Sequence, residues 1–335
     1  MRMAAQMMRA VQYSTFGGGA AALQHVEIPM PVPAKDQLLI KVEAASVNPV
    51  DWKVIQAGLF KLFLPAKLPY IPGTDMAGEV VGLGPGVTSF AVGDKVSCWS
   101  DIRNGGSLAE YAAVPIKTTA KRPETVSAID GASFGVAGQT ALQAVRDSAG
   151  IKLDGSSKDK NLLITAASGG VGTYAVQIAK LGGAHVTATC GARNVALIKS
   201  LGADEVLDYK TPEGVKMESP SGRKYDAVIH CAKYQPFSDF KPQLKKNGKV
   251  IDLTPSPKGL LATGFQLATF SSQRFVPFLM RGNSDDLAVL TSLVNEGKLK
   301  TVVDSTFPLS KAEKAWEKQI EGHSTGKVLV TMVGE

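Results

Sequence analysis

The stretch Thr165-Ala-Ala-Ser-Gly-Gly-Val-Gly172 directly follows the apolar run LLI at 162–164 and opens the helix-like run TYAVQIAKLGG. A strand, a turn of small residues and an amphipathic helix in this order form the phosphate-binding turn of a dinucleotide-binding βαβ unit. Small residues let the backbone approach a pyrophosphate, which is stabilised at the positive N-terminus of the helix. The stretch therefore predicts a dinucleotide site and the fold that carries it.

The glycines of this turn follow most of the G-x-G-x-x-G spacing. Gly169 and Gly172 take its second and third glycine positions, and Ala167 replaces the first. Packing of a helix on a strand alone also selects such glycines, but the flanking strand and helix favour a cofactor. The turn residues expected to bind the cofactor are Ser168, Gly169, Gly170, Val171 and Gly172.

Strands and helices alternate on both sides of the turn's helix, from residue 160 onward. The alternation predicts βαβ crossovers and a parallel sheet covered on both faces. It includes an expected helix, FSDFKPQLKKNG at 237–248, which would stop at its closing Asn-Gly. Before this region, from residue 9 to about 121, short apolar runs broken by Gly, Pro and Asn predict a compact, barrel-like β unit.

Composition narrows the class of protein further. The 335 residues include 44% hydrophobic and 20% charged residues, which excludes a disordered or coiled-coil chain and suggests two domains. Cys98, Cys190 and Cys231 are far apart and the histidines are isolated, so neither a disulfide framework nor a bound metal is predicted. The net charge of +7 is spread along the chain without a nucleic-acid-binding motif, so no nucleic-acid partner is expected.

The end of the strand AHVTATC indicates the type of cofactor. An NAD site carries an acidic residue there to bind the ribose 2′-hydroxyl, whereas this chain has Cys190-Gly191-Ala-Arg193. The planar guanidinium of Arg193 suits a 2′-phosphate, and Tyr209 and Lys210 would add a hydrogen bond and a charge. The alternative is a solvated arginine in a first helical turn. NADPH is the cofactor we expect.

Several segments together resemble one family. The chain is similar to zinc-independent medium-chain dehydrogenases/reductases of the quinone oxidoreductase branch, and in particular to plant chloroplast-envelope members. The segments that carry the resemblance are SVNPVDWK at 46–53, PGTDMAGEV at 72–80, VGDKV at 92–96, GGSLAEY at 105–111, VAGQTALQAV at 136–145, TAASGGVGTYAVQIAK at 165–180, SLGADEVLDY at 200–209 and TGKVLV at 325–330.

This resemblance implies an α/β protein in which a GroES-like β-barrel domain joins a Rossmann domain with a doubly wound parallel sheet. The implied domains are 1–124, catalytic, 125–275, NADPH-binding, and 276–335, returning to the first, with the active site in the cleft between. Zinc-dependent relatives carry a cysteine where this chain has Ser46 or Val47, and Gly-His-Glu where it has Gly73-Thr74-Asp75. The resemblance also implies a homodimer and a chloroplast location, at the envelope or in the stroma; a cytoplasmic location is the alternative.

The activity implied by the resemblance is NADPH-dependent reduction of the C=C bond of α,β-unsaturated carbonyls, including lipid-derived enones and alkenals. Two alternatives stay open: a quinone reductase, or an NADPH-binding protein at a membrane surface with little catalysis. The apolar segment LFKLFLPAKLPYIP at 59–72 fits either attachment to a membrane or a substrate loop.

Three residues of one motif are the expected catalytic groups. Asn48 matches a family position near the nicotinamide, Lys53 would donate a proton or hydrogen bond to the enolate, and Asp51 would hold Lys53. Their alternative is structural, because Asn-Pro and Asp often cap a helix and a helix-surface lysine is usually solvated. Further expected cofactor contacts are Thr140, Cys190, Gly191 and Cys231, and Tyr70, Phe60 and Trp99 are candidates for the substrate pocket.

Overall fold

The computed structural model describes residues 6–56, 67–255, 258–259, 261, 263–264 and 271–332. The chain divides into two compact units, Met1–Gln139 with Gly282–Glu335, and Thr140–Arg281. The domain boundaries after residues 124 and 275, which the resemblance implies, stay a prediction. The two compact units divide inside the helix Gln139–Gln143 and after Arg281.

The first unit contains most of the β-structure. In chain order its described strands are β1 (Met7–Tyr13), β2 (Leu23–Pro29), β3 (Gln37–Val47), β4 (Asp75–Leu83), β5 (Lys95–Trp99), β6 (Tyr111–Pro115), β7 (Thr119–Lys121), β14 (Val303–Pro308) and β15 (Lys327–Thr331). β1 and β2 form an antiparallel pair. The others form one sheet in the order β14-β15-β3-β4-β5-β7, with β6 also paired to β3.

The position of β15 in this sheet explains why the end of the chain belongs to the first unit. β15 pairs antiparallel with the end of β3, so that Val328 lies opposite Val47. Alternate residues of β3 and β15 enter the core around Trp316. The helical segments of this unit are Gly19–Ala22, Pro49–Ile55, Ile116–Thr118, Ala128–Ser133, Phe134–Gly138, Ser284–Asn295, Leu309–Lys311 and Ala312–Glu321.

The second unit is built around a parallel sheet. Its described strands are β8 (Asn161–Thr165), β9 (His185–Cys190), β10 (Glu205–Asp208), β11 (Tyr225–His230), β12 (Leu244–Asp252) and β13 (Arg274–Pro277). They follow the order β10-β9-β8-β11-β12-β13, all in parallel pairs. This is the doubly wound order, in which the connections leave in opposite directions from β8 and β11.

The helical segments of the second unit connect these strands. They are Ala144–Ser148, Gly170–Leu181, Ala192–Asn194, Val195–Ser200, Pro212–Lys216, Phe237–Phe240 and Lys241–Gln243. The longest, Gly170–Leu181, packs on β8 and β9 and is enclosed nearly all round, because every residue from Gly172 to Ala179 is buried. Within the described residues, no helix combines the length and the apolar character needed to cross a bilayer.

The expected helix at 237–248 was wrong beyond its first turn. The helix ends at Phe240, a short 3₁₀ segment contains Pro242, and β12 already begins at Leu244. Proline removes an amide donor and clashes with the preceding turn, so the helix cannot continue through Pro242. Asn247 and Gly248 therefore lie within a strand and do not mark the end of a helix.

Candidate functional site

The turn predicted to bind phosphate lies between β8 and the helix Gly170–Leu181, in the strand–turn–helix order that the sequence predicts. Ala166 has a positive φ of 47°, and Gly169 donates to the Ala166 carbonyl at 3.0 Å. No side chain caps the helix at Gly169. The helix N-terminus thus has no side-chain cap, and the helix dipole favours a negative charge there.

Gly172 and Gly169, the two glycines of this turn, are required for different reasons. A Cβ atom on Gly172 would lie 2.6 Å from both the Ala166 carbonyl oxygen and the Ala167 Cα atom, so packing alone demands glycine. A Cβ atom on Gly169 would meet only the Ala166 oxygen, at 3.4 Å, and its φ of −80° suits any residue. The space beside Gly169 is therefore open, which fits close approach of a pyrophosphate.

The ends of β9 and β10 bring together part of the predicted 2′-phosphate site. Tyr209 donates its backbone N–H to the Cys190 carbonyl at 3.1 Å, and its ring lies 3.5 Å from where a Gly191 Cβ atom would be. The Lys210 ammonium lies 5.9 Å from the Tyr209 ring centre. Arg193 is exposed on the 3₁₀ segment that follows Gly191.

An acidic residue that the sequence did not single out lies beside this region. Asp208 pairs with Cys190 across the parallel strands, and its carboxylate accepts the Lys210 backbone N–H at 3.0 Å. Burial and the nearby Asp208 charge raise the pKa of Cys190 to about 11, so its thiol stays protonated. The strand pattern of 205–208 could have revealed Asp208, because a parallel strand there ends beside the end of β9.

Cys231 and Thr140, the other predicted cofactor contacts of the second unit, lie in a loop and in a helix. Cys231 follows β11 and donates its backbone N–H to Thr165 Oγ1 at 3.1 Å. Desolvation raises the pKa of the Cys231 thiol to about 12, which excludes a thiolate nucleophile near neutral pH. Thr140 is buried in the helix Gln139–Gln143.

Asn48 belongs to a buried polar cluster of the first unit. Its Oδ1 accepts from Lys327 Nζ at 2.6 Å, and its Nδ2 donates to Asp75 Oδ2 at 2.9 Å. Ser46 Oγ donates to the same Asp75 oxygen at 3.0 Å. All four side chains are almost completely buried. Lys327 and Asp75 therefore fix the direction in which the Asn48 amide faces.

Asp51 completes this cluster as a helix-capping group. Its Oδ2 accepts the Asn48 backbone N–H at 2.7 Å, and Thr74 Oγ1 donates to its Oδ1 at 3.2 Å. Burial, followed by the Asp75 charge, raises the pKa of Asp51 to about 7. Burial also lowers the pKa of Lys327, although both aspartates oppose that change.

The sequence did not single out Lys327, the lysine of this cluster; that Asp51 holds Lys53 stays a prediction. The positive charge that acts on the Asp51 carboxyl is that of Lys327. Lys53 is partly buried, and its ammonium lies 5.7 Å from the Trp52 ring centre. The TGKVLV segment that contains Lys327 contributed to the family resemblance, but nothing local in it indicates the partners of the lysine.

The aromatic residues proposed for a substrate pocket differ in burial and in their contacts. Tyr70 is buried and donates its hydroxyl to the Ile102 carbonyl at 2.6 Å, as a core tyrosine does. Trp99 is partly buried and packs on Gly282. Phe60 lies outside the described residues, as does most of the apolar segment at 59–72.

The residues at the zinc-ligand positions of relatives do not fit a zinc ion. Zinc sites in proteins use Cys, His and carboxylate ligands, whereas this chain offers the Ser46 hydroxyl, the Thr74 hydroxyl and the Asp75 carboxylate. Lys327 Nζ lies 3.8 Å from Asp75 Oδ2 and already places a positive charge there. Among the described residues, no three His, Cys, Asp or Glu side chains gather into a metal site.

Comparison with protein-family models gives two matches. Residues 34–124 match the model described as "Alcohol dehydrogenase GroES-like domain", and residues 201–330 match "Zinc-binding dehydrogenase". The expected fold class, a GroES-like β domain with a Rossmann parallel sheet, is thereby confirmed.

Individual proteins are similar over nearly the whole chain. The chloroplast envelope quinone oxidoreductase homolog of Arabidopsis thaliana is 56% identical and covers 98% of this chain and 99% of its own length. The NADPH-dependent alkenal/one oxidoreductase, chloroplastic, of the same plant is 33% identical over 96% of this chain and 79% of its own. The solved quinone oxidoreductase from Coxiella burnetii has a TM-score of 0.87 and 32% identity, and it covers 98% of this chain and 100% of its own.

Proposed function

Because the chain belongs to the medium-chain dehydrogenase/reductase family and is an oxidoreductase of its quinone oxidoreductase branch, we propose that it uses NADPH to reduce the C=C bond of α,β-unsaturated carbonyls. The lipid-derived enones and alkenals are the substrate class. The observation that carries the proposal is the open space beside Gly169 at an uncapped helix N-terminus. The name of the Arabidopsis alkenal/one reductase supports the substrate class.

The residues of the second unit suit a dinucleotide with a 2′-phosphate. The helix at Gly170 would hold the pyrophosphate, and the exposed Arg193 guanidinium with Lys210 would hold the 2′-phosphate. The Asp208 carboxylate is turned toward the Lys210 backbone and does not take the place of the acid that selects NADH. When bound, NADPH supplies a hydride to the β-carbon of the enone.

The protein must then stabilise the enolate oxygen and deliver a proton to the α-carbon. Lys53 is the residue we assign to that hydrogen bond or proton, because it follows Asn48 on the helix Pro49–Ile55 and its side chain is only partly buried. The residues at the zinc positions do not fit that metal, so no step is assigned to it.

Quinones are the second candidate substrate class. The names of the Arabidopsis envelope relative and of the Coxiella structure favour them. The two candidates differ in the product, a saturated carbonyl or a hydroquinone. Turnover of NADPH and of NADH over a short alkenal, a long-chain enone and a benzoquinone, with the products identified, distinguishes them.

A homodimer and a chloroplast location are further parts of the proposal. Among the described strands, β13 ends the order of the parallel sheet, so a second copy can pair with it there. The chloroplast envelope named for the Arabidopsis relative supports the location and peripheral contact with a membrane. Light scattering with size-exclusion chromatography tests the dimer, and a fluorescent fusion in plant cells tests the location.

A further inference from the structure

Two neighbouring loops leave the carboxyl ends of β8 and β11. Thr165 ends β8 and is followed by the phosphate-binding turn, while His230 ends β11 and is followed by Cys231, Ala232 and Lys233. Thr165 and His230 lie opposite each other in the parallel pairing of these strands. The crossovers reverse direction between β8 and β11, and open α/β sheets bind ligands at this point.

A chain of hydrogen bonds connects the two strand ends. The Cys231 backbone N–H donates to Thr165 Oγ1 at 3.1 Å, and this oxygen lies 2.9 Å from His230 Nδ1. His230 Nε2 lies 2.9 Å from the Lys233 carbonyl oxygen, which can only accept a hydrogen bond. Nε2 therefore carries the ring proton.

The direction of the remaining bond follows from the charge of the imidazole. Burial lowers the pKa of His230, which keeps the ring neutral near pH 7. With its proton on Nε2, a neutral ring has an acceptor at Nδ1, so the Thr165 hydroxyl donates to it. The hydroxyl thus donates to His230 and accepts from Cys231, and only serine has a side chain that preserves this arrangement with the same geometry.

A second threonine, Thr254, holds the same loop from just after the end of β12. Thr254 Oγ1 donates to the Ala232 carbonyl at 2.7 Å, and its backbone N–H donates to Asp252 Oδ1 at 3.0 Å. Three consecutive residues, Cys231 to Lys233, are each hydrogen-bonded by a side chain at a strand end. These bonds do not use the N–H groups of Ala232 and Lys233.

The two central side chains are rigidly placed. Thr165 is 3% exposed and His230 is fully buried, and the imidazole packs edge-on against Phe240 with the ring centres 5.0 Å apart. A hydroxyl and an imidazole enclosed in this way hold a single geometry. Neither is exposed enough to be a catalytic group.

We propose that Thr165 and His230 are positioning residues, which hold the loop Cys231–Lys233 at a fixed place relative to the phosphate-binding turn so that both contact one dinucleotide. This inference rests on the proposed use of NADPH. The loop would contact the nicotinamide half, and the turn would contact the pyrophosphate. The affinity for a ligand that lacks the nicotinamide half therefore does not depend on the hydrogen bonds of Thr165 and His230.

The test compares Thr165→Val, which keeps the shape and loses the hydroxyl, with the matched control Thr165→Ser, which keeps it. Dissociation constants for NADPH and for adenosine 2′,5′-bisphosphate are measured by calorimetry, together with each variant's melting temperature. We expect Thr165→Val to weaken NADPH binding about five- to tenfold, because the cofactor must then fix a loop that has lost its hydrogen bond to Thr165, and one such bond is worth roughly that factor. Binding of the bisphosphate should change less than about twofold, and Thr165→Ser should bind NADPH nearly as wild type does.

A second variant, His230→Leu, shows whether the pair acts as a unit. The double variant with Thr165→Val should bind NADPH no more weakly than the weaker single variant. Wild-type affinity for NADPH in Thr165→Val overturns the inference, as does equal weakening of both ligands. A wild-type protein that binds NADPH and reduces neither enones nor quinones contradicts the proposed function alone, whereas one that binds no NADPH contradicts both.

Discussion

Lys327 Nζ donates to Asn48 Oδ1 at 2.6 Å, across 279 positions of sequence. The lysine comes from the returning strand β15, and the asparagine precedes the helix Pro49–Ile55. This buried contact joins the end of the chain to the motif from which we expected catalysis. It also places an ammonium group 3.8 Å from Asp75 Oδ2.

Replacing Lys327 by methionine should therefore destabilise the protein. The variant leaves Asp75 and the Asn48 carbonyl buried without their cation, and breaking a buried pair typically costs about 3–5 kcal/mol. Urea unfolding measures the change in free energy. The control is Lys298→Met, because that half-exposed lysine pairs with Glu296 at the surface and should cost at most about 1 kcal/mol. Equal stabilities of the two variants would show that the buried contact contributes nothing.

The raised pKa of Asp51 predicts how stability changes with pH. Its folded pKa is about 7 against an ordinary value of 3.8, so between about pH 4 and 7 the folded protein holds a proton that the unfolded chain has lost. This group therefore lowers the free energy of unfolding as the pH rises through that window, by about 1.4 kcal/mol for each pH unit.

The substitution Asp51→Asn removes this titration and keeps an oxygen to accept the Asn48 N–H. Unfolding free energies at several pH values from 4 to 7 should fall less steeply with pH in the variant than in the wild type. An identical slope in the two proteins would mean that Asp51 is ionised throughout.

Arg193→Ala should reduce the preference for NADPH over NADH. A charged hydrogen bond to a phosphate contributes about 1.5–3 kcal/mol, so we expect the preference to fall at least about tenfold, through weaker NADPH binding. Ratios of kcat/KM for the two cofactors measure it. Lys199→Ala removes an exposed positive charge a few residues away and should leave the ratio nearly unchanged. If both variants lower the ratio of kcat/KM equally, the preference for NADPH depends only on the general positive charge of the surface.

The two glycines of the turn should respond differently to alanine. Gly169→Ala should fold with wild-type stability and bind NADPH at least about tenfold more weakly, because the added methyl group fills the space for the pyrophosphate. Gly172→Ala places a methyl group 2.6 Å from backbone atoms and should unfold at lower temperature. Melting curves and cofactor titrations of both variants provide the check. Unchanged cofactor affinity in Gly169→Ala would remove the observation that carries the proposed function.

The sequence could predict the phosphate-binding turn because all its signals are local. Strand, glycines and helix follow one another within about twenty residues, and the alternation around them predicts the parallel sheet. The helix expected through Pro242 does not form, because a proline that removes a backbone donor outweighs the apolar pattern around it.

The polar cluster could not be predicted, because its members meet only through the sheet. Asp75 lies opposite Ser46 in β4, and β15 brings Lys327 to the other side of β3. No spacing within 46–53 reveals that Asp51 faces Thr74 and Lys327. The resemblance suggested a lysine–aspartate pair within one helix, whereas the buried lysine comes from the other end of the chain.

The most direct test of the proposed function is the product formed from a simple enone. Purified protein is incubated with NADPH and an α,β-unsaturated ketone, NADPH oxidation is followed by its absorbance, and the product is identified by mass spectrometry and NMR. We predict steady oxidation with one saturated ketone formed per NADPH consumed. Formation of the allylic alcohol, or no oxidation of NADPH above the rate without protein, would contradict the assignment as a C=C reductase.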